Sequence, residues 1–138
     1  VTYRIFSLNE ANAMLPELKE DLKQLQIMTA LFEKQYTDLQ KSKARLAGSS
    51  ALMEDRGTMY FEAESQLEFM RIEVELFMQN FGRKGVLLKM INPGLIDFPA
   101  MVNEKAVLLC WREGEETITH YHGWEEGYMG RRIHPDAY

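Results

Sequence analysis

Residues able to do chemistry crowd one short span, Leu108-Leu109-Cys110-Trp111-Arg112-Glu113-Gly114-Glu115-Glu116-Thr117-Ile118-Thr119-His120-Tyr121-His122. It holds the only cysteine, an arginine, three acids and two of the three histidines. Two chemistries suit such a set. A thiol nucleophile would use Cys110 with His120 or His122 as its base, but a reactive thiol needs an electropositive, partly exposed setting. Cys110 lies between Leu109 and Trp111 with no helix start before it, the setting of an inert cysteine that packs as a small hydrophobe. Metal ligation is the second chemistry. Residues two apart on a strand share a face, so His120 and His122 can converge on one divalent ion. Zinc or iron would need a further ligand, for which the helix carboxylates Glu62 or Glu68 are candidates. No HExxH or cysteine-pair spacing accompanies the histidines, and a packed histidine with one ring nitrogen bonded is an ordinary structural feature.

The chain has 138 residues, 46% hydrophobic and 27% charged, the profile of one soluble domain with a real core. No apolar run approaches the ~20 residues of a membrane span. The opening VTYRIFSLNE lacks the basic start and apolar block of a secretory leader. A single cysteine forms no internal disulfide, and the expected compartment is the cytoplasm. The net charge of -5 opposes a general affinity for nucleic acid. Arg131-Arg132 reads as part of a solvated C-terminal loop. Gly127-Tyr128-Met129-Gly130 could cradle a phosphate through backbone N–H groups, although a glycine-permitted turn explains it equally well.

The elements that must position these residues follow from hydrophobic period. Ser7-Leu8-Asn9-Glu10 fits a capping box at a helix start. Leu8, Ala11, Leu15, Leu18, Leu22, Leu25, Phe32, Tyr36, Leu39 and Leu46 then follow at three- and four-residue spacing, a heptad seam. Pro16 inside it is expected to kink the helix, and Gly48-Ser49-Ser50 to end the pattern. A second helix begins between Ser50 and Thr58, with a seam from Tyr60 to Phe81 and a stop at Gly82 or Gly85. Its second stripe, Phe69, Ile72 and Leu76, is expected to cover the rest of the chain.

From Gly85 the period changes. Val86 to Ile91, Leu95 to Val102, Ala106 to Arg112 and Thr117 to His122 read as strands, separated by short turn-forming links. Such links permit only antiparallel neighbours, and Pro99 belongs at an edge or bulge. The expected fold is α+β: one domain over 1–138, with a long antiparallel helical hairpin at about 8–82 on a four-stranded antiparallel sheet at about 85–122. A loop at 123–138 completes it.

The chain resembles a prokaryotic family known as domain of unknown function 2203. The matching pieces are Phe6-Ser7-Leu8-Asn9-Glu10-Ala11-Asn12 with Leu15-Pro16, Gly94-Leu95-Ile96-Asp97-Phe98-Pro99, Leu109-Cys110-Trp111-Arg112-Glu113-Gly114-Glu115, Tyr121-His122 and Gly127-Tyr128-Met129-Gly130-Arg131. Two departures are Asn103-Glu104, where the family usually has Asp-Gly, and Gly123, where it has an acid. The resemblance implies a shared fold and no established activity. It implies that Asn12, Asp97, Arg112, Glu115, His122 and Arg131 matter to the family.

Turn lengths set the expected register. If Asn103-Glu104 is a two-residue turn, Asp97 lies opposite Cys110 and diagonal to Arg112, within reach of an ion pair. If Gly114-Glu115 is another, Leu109 lies opposite His120 and Val107 opposite His122. A metal site would then use His120 and His122 with a helix carboxylate and exclude Asp97 and Cys110. The leading functional expectation is a non-enzymatic interaction or scaffold protein that self-associates through its helices as a homodimer or higher oligomer. A hairpin longer than its sheet would expose Phe32, Leu39 and Met59 at its far end. The alternative is a small metal-dependent, hydrolase-like enzyme built on His120 and His122.

Overall fold

The computed structural model describes residues 4–47 and 53–137, and the side chains of residues 53–56 and 59 fall outside that description. The expected break at Gly48-Ser49-Ser50 and the side chain of Met59 therefore lie outside the described residues. Two helices, α1 (Leu8–Leu46) and α2 (Met53–Arg83), precede five strands: β1 (Leu87–Met90), β2 (Leu95–Val102), β3 (Lys105–Arg112), β4 (His120–Gly123) and β5 (Arg132–Ile133). The strands form one antiparallel sheet in sequence order. The class is α+β as the periodicity indicated, with one strand more. The expected C-terminal loop contains a 3-10 turn (Tyr128–Gly130) and then β5, which pairs His120 with Ile133.

The chain divides into two compact units, residues 1–24 with 78–138, and residues 25–77. In the first, the start of α1 covers one face of the sheet. The capping box forms: Glu10 N–H donates to Ser7 Oγ, and Ser7 N–H to Glu10 Oε1, both at 3.0 Å. α1 continues as helix through Pro16. Its buried Ala11, Leu15, Leu18 and Leu22 share a core with Ile96, Phe98, Val107, Leu109, Trp111 and Ile118. Burying each large apolar side chain contributes roughly 1.5–3 kcal/mol before the entropy of ordering it. The approach is close enough that a Cβ on Gly94 would meet Leu22 Cδ2 at 2.2 Å. Pro99 sits where β1 no longer pairs, since β1 reaches only Asp97 on β2. Its missing N–H costs nothing there, and its carbonyl accepts the Phe6 N–H at 2.7 Å.

In the second unit the remainder of α1 pairs with α2 in antiparallel sense. Lys43, late in α1, bonds Glu64, early in α2, at 2.6 Å. Leu39 and Leu67 are buried on the seams that face each other. Leu39 is thus not exposed, and Phe32 is half-buried, because the heptad seam turns both toward the partner helix. The second stripe of α2 is the larger correction. Phe69, Ile72 and Leu76 are 64%, 42% and 52% exposed, so among the described residues the stripe is not buried as expected.

Candidate metal centre

The first sheet hairpin has the expected register. Asn103 (φ 51) and Glu104 (φ 65) form a two-residue turn with both backbones left-handed, Val102 pairs Lys105, and Asp97 pairs Cys110. The second hairpin differs by one residue. Cys110 pairs His120, Leu109 pairs Tyr121 and Leu108 pairs His122. Gly114 (φ 106) and the Glu115 N–H to Arg112 carbonyl bond of 3.0 Å do make a turn, but β4 starts only at His120, after a seven-residue loop. Asn12 on α1 accounts for the extra length. Its Oδ1 accepts the Ile118 N–H at 2.7 Å and its Nδ2 donates to the Ile118 carbonyl at 3.3 Å, seating Ile118 in the core. An odd loop reverses parity. Both histidines therefore leave the face of Leu109 and Trp111 and join that of Asp97 and Cys110.

Against the expected register, Asp97 and Cys110 share the face of His122. One ligand atom each of Asp97, Cys110 and His122 lies within 4.8 Å of the others. All three side chains are nearly inaccessible, at 2%, 0% and 2% exposure. The expected Asp97–Arg112 ion pair does not form among the described residues. Asp97 Oδ2 meets His122 Nε2 at 3.2 Å instead, and the Arg112 guanidinium lies 5.4 Å from the Tyr128 ring centroid.

His122 Nδ1 lies 2.8 Å from the Gly123 carbonyl, which only accepts, so Nδ1 carries the ring proton. In a neutral imidazole Nε2 then presents a lone pair to a carboxylate. The contact is favourable if the ring is cationic, if the carboxyl holds a proton, or if a cation lies between them. Burial opposes an ionised Asp97 and raises its pKa, an effect that the nearby His122 partly offsets. Burial, and then the Asp97 charge, push the Cys110 thiol up to about 12. That is the reverse of an activated nucleophile, so the inert reading of Cys110 as a nucleophile stands. Asp97 Oδ1, fully buried, has no hydrogen-bond partner of ordinary geometry among the described residues.

A guanidinium closes one side. Arg131 Nη1 donates to Glu115 Oε1 and Oε2, both at 3.0 Å, and Nη2 donates to the Tyr128 hydroxyl at 3.2 Å. Its guanidinium carbon stands 4.1 Å from the Tyr128 ring centroid, a cation–π contact. Arg131 is close enough to Cys110 to oppose the rise in the thiol pKa. The Gly130 and Arg131 N–H groups are spent on the Gly127 and Tyr128 carbonyls.

Other expected residues lie elsewhere. His120 Nδ1 bonds the Thr119 hydroxyl at 2.7 Å and is outside the cluster. Glu62 and Glu68 belong to the helical unit, where Glu68 bonds Arg71. The sequence pointed to no role for His134 or for the side chain of Tyr128. His134 is buried edge-on to Tyr121, with its Nδ1 accepting the Asp136 N–H at 3.0 Å.

The sequence profile described as "Uncharacterized conserved protein (DUF2203)" matches residues 4–133. The chain belongs to the DUF2203 family. No curated protein and no solved structure matches it. In this DUF2203 chain the residues that the resemblance singled out have physical partners in one unit. Asn12 seats the loop, Asp97 and His122 meet, Glu115 holds Arg131, and Arg112 and Arg131 both lie over Tyr128. No helix among the described residues is long and apolar enough to cross a membrane.

Proposed function

We propose that this protein binds one divalent cation, zinc by the softness of its ligand set, through Asp97, Cys110 and His122. The observation that carries this reading is the buried His122 Nε2 facing the Asp97 carboxyl at 3.2 Å, with the other ring nitrogen already committed to a carbonyl. Metal-bound histidines characteristically donate their second nitrogen in this way. Zinc bound to nitrogen and oxygen at ~2.0–2.2 Å in tetrahedral geometry would hold the two ligand atoms roughly 3.3 Å apart, close to the 3.2 Å seen. A cation between thiol and carboxyl also reverses the penalty that burial imposes on their ionised forms. Three protein ligands are the number typical of hydrolytic zinc sites, in which the metal activates a water. This supports a small metal-dependent, hydrolase-like enzyme, with Asp97 and Cys110 in place of His120 and a helix carboxylate.

Metal analysis of protein purified without chelator tests the proposal. One equivalent of zinc is expected, lost in Cys110→Ser and His122→Ala and retained in His120→Ala. A protein that takes up no divalent metal at micromolar concentration, or whose His120→Ala variant alone loses it, refutes this ligand set.

A second reading, an interaction or scaffold role in the cytoplasm through self-association of the helices, has its own support. Phe61, Phe69, Ile72 and Leu76 form an outward apolar stripe on α2, and exposed stripes of that kind commonly mark partner surfaces. A homodimer or larger homo-oligomer at micromolar concentration is expected, and light scattering that returns only a 16.1 kDa species would eliminate it.

A further inference from the structure

Resting on the metal reading above, we infer that the fourth ligand of the centre is an exchangeable oxygen donor, a small carboxylate- or phosphate-class oxyanion, received by the Arg131 guanidinium. Two observations carry this. The first is the ligand inventory. The cluster that can converge on one ion contains three His, Cys, Asp or Glu side chains and no fourth among the described residues. Tetrahedral zinc fills its remaining position from solvent or substrate when the protein does not.

The second is the way Arg131 is held. A bidentate carboxylate, a tyrosine hydroxyl and a tyrosine ring face fix one guanidinium beside a buried thiol. Arginine carries five N–H donors in a rigid fork, and the bonds to Glu115, the Tyr128 hydroxyl and the Cys110 thiol do not exhaust them. Neutralising Glu115 needs no such placement, since that carboxylate is itself part-exposed. A preorganised guanidinium next to an ion suits an anionic oxygen that the metal and the arginine share. The unpartnered Asp97 Oδ1 adds an acceptor for a hydroxyl of the same ligand. Arg131 is thus a binding residue for the anion, with Glu115 and Tyr128 positioning it.

The full chain loaded with cobalt(II) reads both layers at once. A thiolate-to-cobalt charge-transfer band reports the Cys110 bond, and the d–d bands report the fourth position. Acetate and inorganic phosphate, titrated separately, are expected to shift the d–d bands saturably while the charge-transfer band persists. The arm that saturates at lower concentration names the anion class. Arg131→Gln should weaken that anion by about 10–100-fold with metal stoichiometry unchanged. Arg131→Lys, which keeps the charge and loses the fork, should fall between. Bands that respond to neither anion, or an Arg131→Gln protein that folds and titrates like wild type, overturn the inference while leaving the metal centre intact. Absence of any charge-transfer band removes the metal reading itself and this inference with it.

Discussion

Asp97 is the residue whose environment is least comfortable as it stands. Its carboxyl is buried, one oxygen has no hydrogen-bond partner among the described residues, and the other faces an imidazole nitrogen whose ring carries its proton on the nitrogen bonded to the Gly123 carbonyl. Replacing it with asparagine removes the buried charge and offers an amide N–H to His122 Nε2. In metal-free protein, Asp97→Asn is expected to raise stability at neutral pH by on the order of 1 kcal/mol, the worth of one satisfied buried bond. The same variant should no longer bind metal. Denaturant midpoints of chelated wild type and variant, with a metal titration of each, check the pair of outcomes. A destabilised metal-free variant would mean that a charged Asp97–His122 pair holds the strands together. Cys110 beside it is a ligand by placement and not by intrinsic reactivity, since its thiol is pushed up to about 12 without a cation.

At the scale of elements, the β2–β3 turn carries a local conflict. Glu104 adopts φ 65 without being glycine, a conformation that costs a residue with a Cβ roughly 1–2 kcal/mol. The Asp-Gly that family members commonly have there would relieve it. Glu104→Gly is therefore expected to stabilise the chain by about 0.5–1 kcal/mol with strand pairing unchanged. A lower thermal midpoint would show that the glutamate makes contacts that outweigh the strain. The α1 capping box gives a pH dependence. Ser7 N–H holds the Glu10 carboxylate below its ordinary pKa. A depressed carboxylate contributes stability above its unfolded pKa and loses it as pH falls through the folded value. The gap in melting temperature between wild type and Glu10→Ala should accordingly be present at neutral pH and close on acidification. A gap independent of pH from 7 to about 3 would contradict the assignment.

For the molecule as a whole, the three ligands come from β2, β3 and β4, so a bound cation would cross-link three neighbouring strands. A ligand at 100 times its Kd stabilises the state that binds it by about 2.7 kcal/mol, which in a domain of this size raises the midpoint by roughly 5–10 °C. Chelator treatment is expected to lower the calorimetric transition by that amount, and added zinc to restore it. A transition indifferent to both would remove the centre. All three ligand residues lie outside the helical unit. Its exposed Phe69, Ile72 and Leu76 bear instead on whether copies associate.

Local chemistry alone specified much of this protein. The capping box, both heptad seams, two of the turns and the pairing of Asp97 with Cys110 followed from residue types and spacing, because each depends on neighbours close in the chain or on a two-residue turn. The destination of the second α2 stripe did not follow, since periodicity says which residues share a face and not what that face meets. The decisive step was one residue of register. Gly114-Glu115 has the composition of a hairpin turn, but the chain turns one place earlier, at Glu113-Gly114. Asn12, more than a hundred positions away, nevertheless holds Ile118 in the core and lengthens the loop to an odd count. Strand side chains alternate faces, so that single bond pair moved both histidines across the sheet. The sequence could supply a carboxylate, a thiol and an imidazole. Only the tertiary contact between α1 and the loop decided that they would share one buried spot.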